Sequence, residues 1–174
     1  MSLAYSICLK RIVALDVGAI AALFCLRAIA GCLLAGTAVP VPFLACVALT
    51  ALNLGLAKRY AELIGCGSVL TVAGRGYRPG HASILPVAGI CSAALSVLCL
   101  AIFGGSFVDE HFRNPALIIL SSALQLGLFW RVWVGARNPG FDGDPIRLAV
   151  QDPLIAGGLL AVSLGVAVAV AAPV

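Results

Sequence analysis

A chain of 174 residues that is 62% hydrophobic and 10% charged cannot hide its apolar surface in a soluble core, so composition excludes an ordinary soluble domain and implies an integral membrane protein. Its apolar runs are continuous and rich in Leu and Ala instead of alternating, which predicts an all-α polytopic membrane bundle and not a barrel. The net charge of +4 is sorted by loop, so it speaks to topology; no nucleic acid partner is expected.

In chain order, Lys10 and Arg11 precede a first span over about 12–36. It carries Asp16 near its start and Arg27 deeper in, on nearly the same helical face but about 16 Å apart along the axis. They cannot pair with each other, so each needs a partner elsewhere or a wet cavity. Gly18 with Ala22, and Gly31 with Ala35, offer small residues at i, i+4 suited to close helix packing.

The uncharged turn TAVPVP leads to a second span, about 41–57, ending at Lys58. Residues 58–81, KRYAELIGCGSVLTVAGRGYRPGH, form the longest polar interval. KRYAEL is expected to continue the helix, with Glu62 within reach of Lys58 at i+4 and of Arg59 at i+3. AGRGYRPG then breaks it and frees backbone donors. Such a loop is either a basic cytoplasmic loop or an anion site at the membrane surface, where cations and backbone N–H groups hold a phosphate.

The third span covers about 82–105, with Pro86 in its first turns, and is followed by SFVDEHFRN. A fourth span, about 115–135, closes with Trp130 and Trp133, read as an interfacial aromatic belt. ARNPGFDGDPIRLAVQDP follows; in it DGDP before IRLAV fits a turn and helix cap at Asp142 and Asp144, and acids on this rim are also able to hold Mg²⁺ with substrate phosphates. The last span is about 154–172, making residues 1–174 a single transmembrane domain.

One face collects Lys10, Arg11, Lys58, Arg59, Arg75, Arg78, Arg131, Arg137 and Arg147, against Arg113 alone on the other. The positive-inside rule then expects a multi-pass cell-membrane protein, N-terminus cytoplasmic and C-terminus outside. The seven cysteines are odd in number and lack C-x-x-C spacing, so they read as packing residues. No nucleophile elbow, Walker loop or metal-spaced His/Cys set is present.

YSICLKRIVALDVGAIAALFCLRAIAG, LNLGLAKRYAEL, GRGYRPG and FWRVWVGARNPGFDGDPIRLAVQD, in this order, resemble the UbiA superfamily of intramembrane prenyltransferases. The branch they look most similar to is the decaprenyl-phosphate phosphoribosyltransferase type. The resemblance implies a nine-helix fold around a central cavity, of which the five spans here correspond to the second half. It implies transfer to a polyprenyl phosphate lipid from a phosphorylated donor, phosphoribosyl diphosphate, with Mg²⁺ as cofactor. By the same resemblance Asp16 and Lys10 are candidate catalytic residues, and Tyr5, Lys58, Arg59, Arg75, Tyr77 and Arg78 are candidate substrate-binding residues. Glu62 falls where the family carries its second Asp-rich motif and is the candidate metal ligand.

The family's first Asp-rich motif, N-D-x-x-D-x-x-x-D, and four of its helices are not found in these 174 residues. An N-terminal half supplied separately, or self-association, is therefore expected for activity. Two other readings are a non-catalytic membrane subunit or remnant of such an enzyme, and a small transporter piece using Asp16 and Arg27.

Overall fold

Backbone buried in lipid must satisfy its own hydrogen bonds, and in the computed structural model, which describes residues 15–65, 82–106, 115–138 and 152–171, every regular element is an α-helix. The helices are α1 (Leu15–Leu34), α2 (Val41–Gly65), α3 (Ile84–Ser106), α4 (Pro115–Ala136) and α5 (Pro153–Ala171). Four of them, α1 to α4, are long and apolar enough to cross a membrane, and α5 runs for 19 residues. The all-α membrane bundle read from the composition is the observed fold.

Helix ends follow local chemistry. α1 stops where Gly36 takes a φ of 66°, with Gly36 N–H donating to Leu33 O and Thr37 N–H to Cys32 O, the paired bonds of a Schellman end. α2 does not stop at Lys58: it continues through KRYAEL to Gly65, as the i, i+3 spacing predicts. α5 begins at Pro153, a residue suited to the first helical position, after Asp152.

The helices stack in chain order: α1 on α2, α2 on α3, α3 on α4 and α4 on α5, with α4 also reaching α2. Two buried clusters mark the two ends of the bundle. One gathers Val17, Leu56, Ala57, Leu63, Leu85, Leu128, Val132, Trp133 and Ile155 from all five helices. The other holds Cys46, Leu100, Phe103 and Ile118. Outward lie Leu33, Leu34, Ile90, Ile119, Leu120, Leu160 and other large apolar residues, a surface that suits lipid.

Between the clusters a polar tie joins three helices. Gln125 Nε2 donates to Thr50 Oγ1 at 2.9 Å and to Ser96 Oγ at 3.1 Å, the two hydroxyls are 2.8 Å apart, and Ser96 Oγ donates to Cys46 O at 3.2 Å. Nearby, Asn53 Nδ2 donates to Gly89 O at 2.6 Å, a carbonyl that also accepts from Ser92 Oγ.

Two packing expectations are corrected. Small residues do bring helices close, but not at Gly18 or Gly31, where an added Cβ would meet nothing within 4 Å. The close approaches are at Gly55, where a Cβ would lie 2.5 Å from Val17 Cγ1, and at Gly89, where it would overlap the Trp133 indole. Trp133 accordingly is no belt residue: it is buried, stacked obliquely with Tyr60, while Trp130 faces outward.

Candidate functional site, a buried arginine between two carboxylates

The absence of a side chain at Gly55 lets α1 settle on α2 at Val17. This contact has a consequence one turn further along. Asp16, the residue before Val17, meets Arg59, the residue four after Gly55, with Arg59 Nε 2.8 Å from Asp16 Oδ2. Asp16 is fully buried and Arg59 is 3% exposed. These two groups form an ion pair out of reach of water, where charges attract more strongly than at the surface. Arg59 then turns a terminal nitrogen, Nη1, to Glu62 Oε2, one turn on along α2. One guanidinium thus bridges two carboxylates from two helices.

The partner that the sequence demanded for Asp16 is therefore Arg59, and the pair proposed for Glu62 at i, i−3 is formed. Arg27 has no such partner among the described residues: it lies exposed on α1, its guanidinium carbon 5.6 Å from the Phe24 ring centroid. Lys58 stands next to the cluster on α2 and is half-buried. The same end of the bundle carries a second ion pair, Arg131 Nε with Asp152 Oδ2 at 2.5 Å, while Asp152 Oδ1 accepts from Leu154 N–H at 3.0 Å and so caps α5. The Arg131 hydrogen bond holds the Asp152 carboxyl below the usual aspartate range.

Of the residues singled out from sequence, the structure brings together Asp16, Lys58, Arg59 and Glu62. Tyr5, Lys10, Arg75, Tyr77 and Arg78 lie outside the described residues, as do Asp142 and Asp144. Among the described residues no group of three or more His, Cys, Asp or Glu is placed to hold a metal. Asp16 and Glu62 both face the Arg59 guanidinium, which competes for their oxygens. As they stand they do not make a Mg²⁺ cage, since that ion wants nearly octahedral oxygen ligation from carboxylates, water and phosphate.

A cavity of about 350 Å³ lies between α2 and α5 and is floored by α4, its α2 wall running from Phe43 to Leu54, the segment before the cluster. Phe43, Leu54, Leu128, Phe129 and Leu159 make it apolar, and Thr50 and Gln125 supply its polar spot. Sequence reading passed over Thr50, Asn53, Ser96 and Gln125. The signal available was simply that each interrupts an apolar span with a hydrogen-bonding side chain.

No family model matches the chain. It is similar to the uncharacterized protein y4nM of Sinorhizobium fredii (strain NBRC 101917 / NGR234), with 33% identity over 159 residues. That alignment takes in 87% of this chain and 30% of the relative, so the chain spans under a third of the relative's length.

Proposed function

We propose that the chain is part of a membrane transferase acting on a polyprenyl phosphate, with phosphoribosyl diphosphate as donor, in the manner of the UbiA-type family its motifs resemble. In that reaction a phosphate oxygen of the lipid forms a bond to the ribose carbon that loses diphosphate. The observation that carries the reading is the juxtaposition on α2 of a cation–carboxylate cluster, Lys58, Arg59 and Glu62 with Asp16, at one end and an apolar cavity further along. A phosphorylated lipid needs both, a charged rim for its head and an apolar cleft for its chain.

Within this reading Arg59 is a positioning residue. Its buried bridge fixes Asp16 and Glu62, leaving Lys58, with Arg75 and Arg78 of the following loop, as the cations for phosphate. Asp16 and Glu62 do not fit Mg²⁺, so that ion would have to be held by other carboxylates, and if bound there it would supply charge neutralisation for diphosphate. The charged rim lies at the cytoplasmic surface of the cell membrane, with the N-terminus inside and the C-terminus outside, on the nine-to-one division of Lys and Arg between faces.

The experiment supplies the purified chain with Mg²⁺, polyprenyl phosphate and phosphoribosyl diphosphate, with and without a co-expressed segment bearing the family's first Asp-rich motif. Lipid-linked ribose phosphate formed only with that segment is the expected outcome. No product in either arm, with both proteins folded and associated, overturns the reading. The non-catalytic alternative is favoured by one feature, the engagement of both described rim carboxylates by Arg59.

A further inference from the structure

Of the four helices long enough to cross a membrane, α1 is the least covered. Its buried residues are Asp16, Val17 and Ala21, all in its first two turns; beyond them Leu23, Phe24, Leu26, Leu33 and Leu34 are exposed. In the midst of this apolar surface stands Arg27, also exposed. It lies seven residues before the end of α1 at Leu34, about 10 Å inside the span. A guanidinium at that depth in hydrocarbon is costly, and neither of two inexpensive solutions is seen for it among the described residues.

The first is a carboxylate of its own chain. The described acids are Asp16, Glu62 and Asp152, and their ion pairs are with Arg59 and Arg131, not with Arg27. The second is reaching out to lipid phosphate at the nearer surface. The Arg27 guanidinium lies instead beside the ring of Phe24, three residues back toward the start of the helix and away from that surface. Four residues on, Gly31 shares this face, and a Cβ added there meets nothing, so the backbone of an approaching helix has room.

We infer that this face of α1 is an interface for a transmembrane helix that carries an aspartate or glutamate at the depth of Arg27. Charge complementarity selects this occupant. A wholly apolar helix would seal the cation in with no counter-charge, and a second copy of the described bundle presents carboxylates that already have arginine partners. The inference does not depend on the transferase reading, because it follows from Arg27 and its surroundings alone.

The test places the full chain in phosphatidylcholine vesicles at pH 8 with fluorescent poly-leucine transmembrane peptides, alike except for a single Glu, Gln or Leu about 10 Å from one end. Energy transfer from the chain to the peptide is the readout. The Glu peptide is expected to associate about ten-fold more strongly than the Leu peptide, in keeping with a polar interhelical contact in lipid. Arg27→Leu abolishes the preference, Arg27→Lys retains it, and Arg27→Glu transfers it to a Lys-bearing peptide. Helical content, read by circular dichroism, confirms that each variant folds. Equal association of all three peptides with the wild type would mean that lipid phosphate satisfies Arg27, and would overturn the inference. So would a Glu preference that survives in Arg27→Leu, or energy transfer between copies of the chain that Arg27→Leu removes.

Discussion

At the scale of single residues, two charges that look equivalent in the sequence have opposite fates. Asp16 and Arg27 both interrupt the first apolar run, and spacing alone shows that neither can serve the other. What spacing cannot tell is that Gly55 admits Val17 and so delivers Asp16 to Arg59, because that contact joins residues some forty positions apart. Arg59→Leu leaves a buried carboxylate without its cation and should destabilise the chain by about 3–5 kcal/mol in detergent unfolding. The double change Asp16→Leu with Arg59→Leu should cost clearly less than Arg59→Leu alone, since the carboxylate it leaves without an arginine is the partly exposed Glu62 and not the fully buried Asp16. Gly89 makes a second residue-level prediction. A Cβ at that position overlaps the Trp133 indole, so Gly89→Ala should destabilise by at least about 1–3 kcal/mol and shift the tryptophan emission as the ring is displaced. The sequence marks Gly89 as one small residue among many in a long apolar run; only the neighbouring helix makes it indispensable.

At the scale of helices, existence was plain from composition while boundaries and contacts depended on finer chemistry. Five apolar runs became five helices, and KRYAEL extended α2 as its charge spacing suggests. The start of α5 was less legible. The cap seen at its start is Asp152, of the D-P pair next to the span, whereas the cap read at Asp142 and Asp144 before IRLAV lies outside the described residues. Because Asp152 is held below its ordinary range by Arg131, its contribution is fully present above the unfolded pKa, near 4. It is lost as pH falls through the lower folded value. The melting temperature of the wild type should therefore exceed that of Asp152→Asn at neutral pH, and the two should converge in strong acid. Helix association supplies a further expectation. Gln125→Leu removes the tie from α4 to both Thr50 and Ser96 and should cost about 0.6–1.7 kcal/mol, a modest figure because hydrogen bonds in lipid are worth little more than elsewhere.

For the whole molecule, the orientation proposed from the division of basic residues is open to direct measurement. A cysteine introduced at Ser106 in a cysteine-free background should react with an impermeant reagent only from outside; reaction from the cytoplasm alone would invert the topology proposed. The charged rim was half legible in the same way: the sequence supplies which residues crowd near the end of α2, whereas their division into a buried bridge and a freer lysine depends on the path of α1. The succession of helix contacts carries a last consequence, for biosynthesis. Since α1 packs on α2, α2 on α3, α3 on α4 and α4 on α5, each helix finds its principal partner among those that have just left the ribosome. The nascent bundle thus grows by one helix at a time. The exception is Gln125, which must reach back past α3 to Thr50, so arrival of α4 is the moment at which the first three helices become locked to one another.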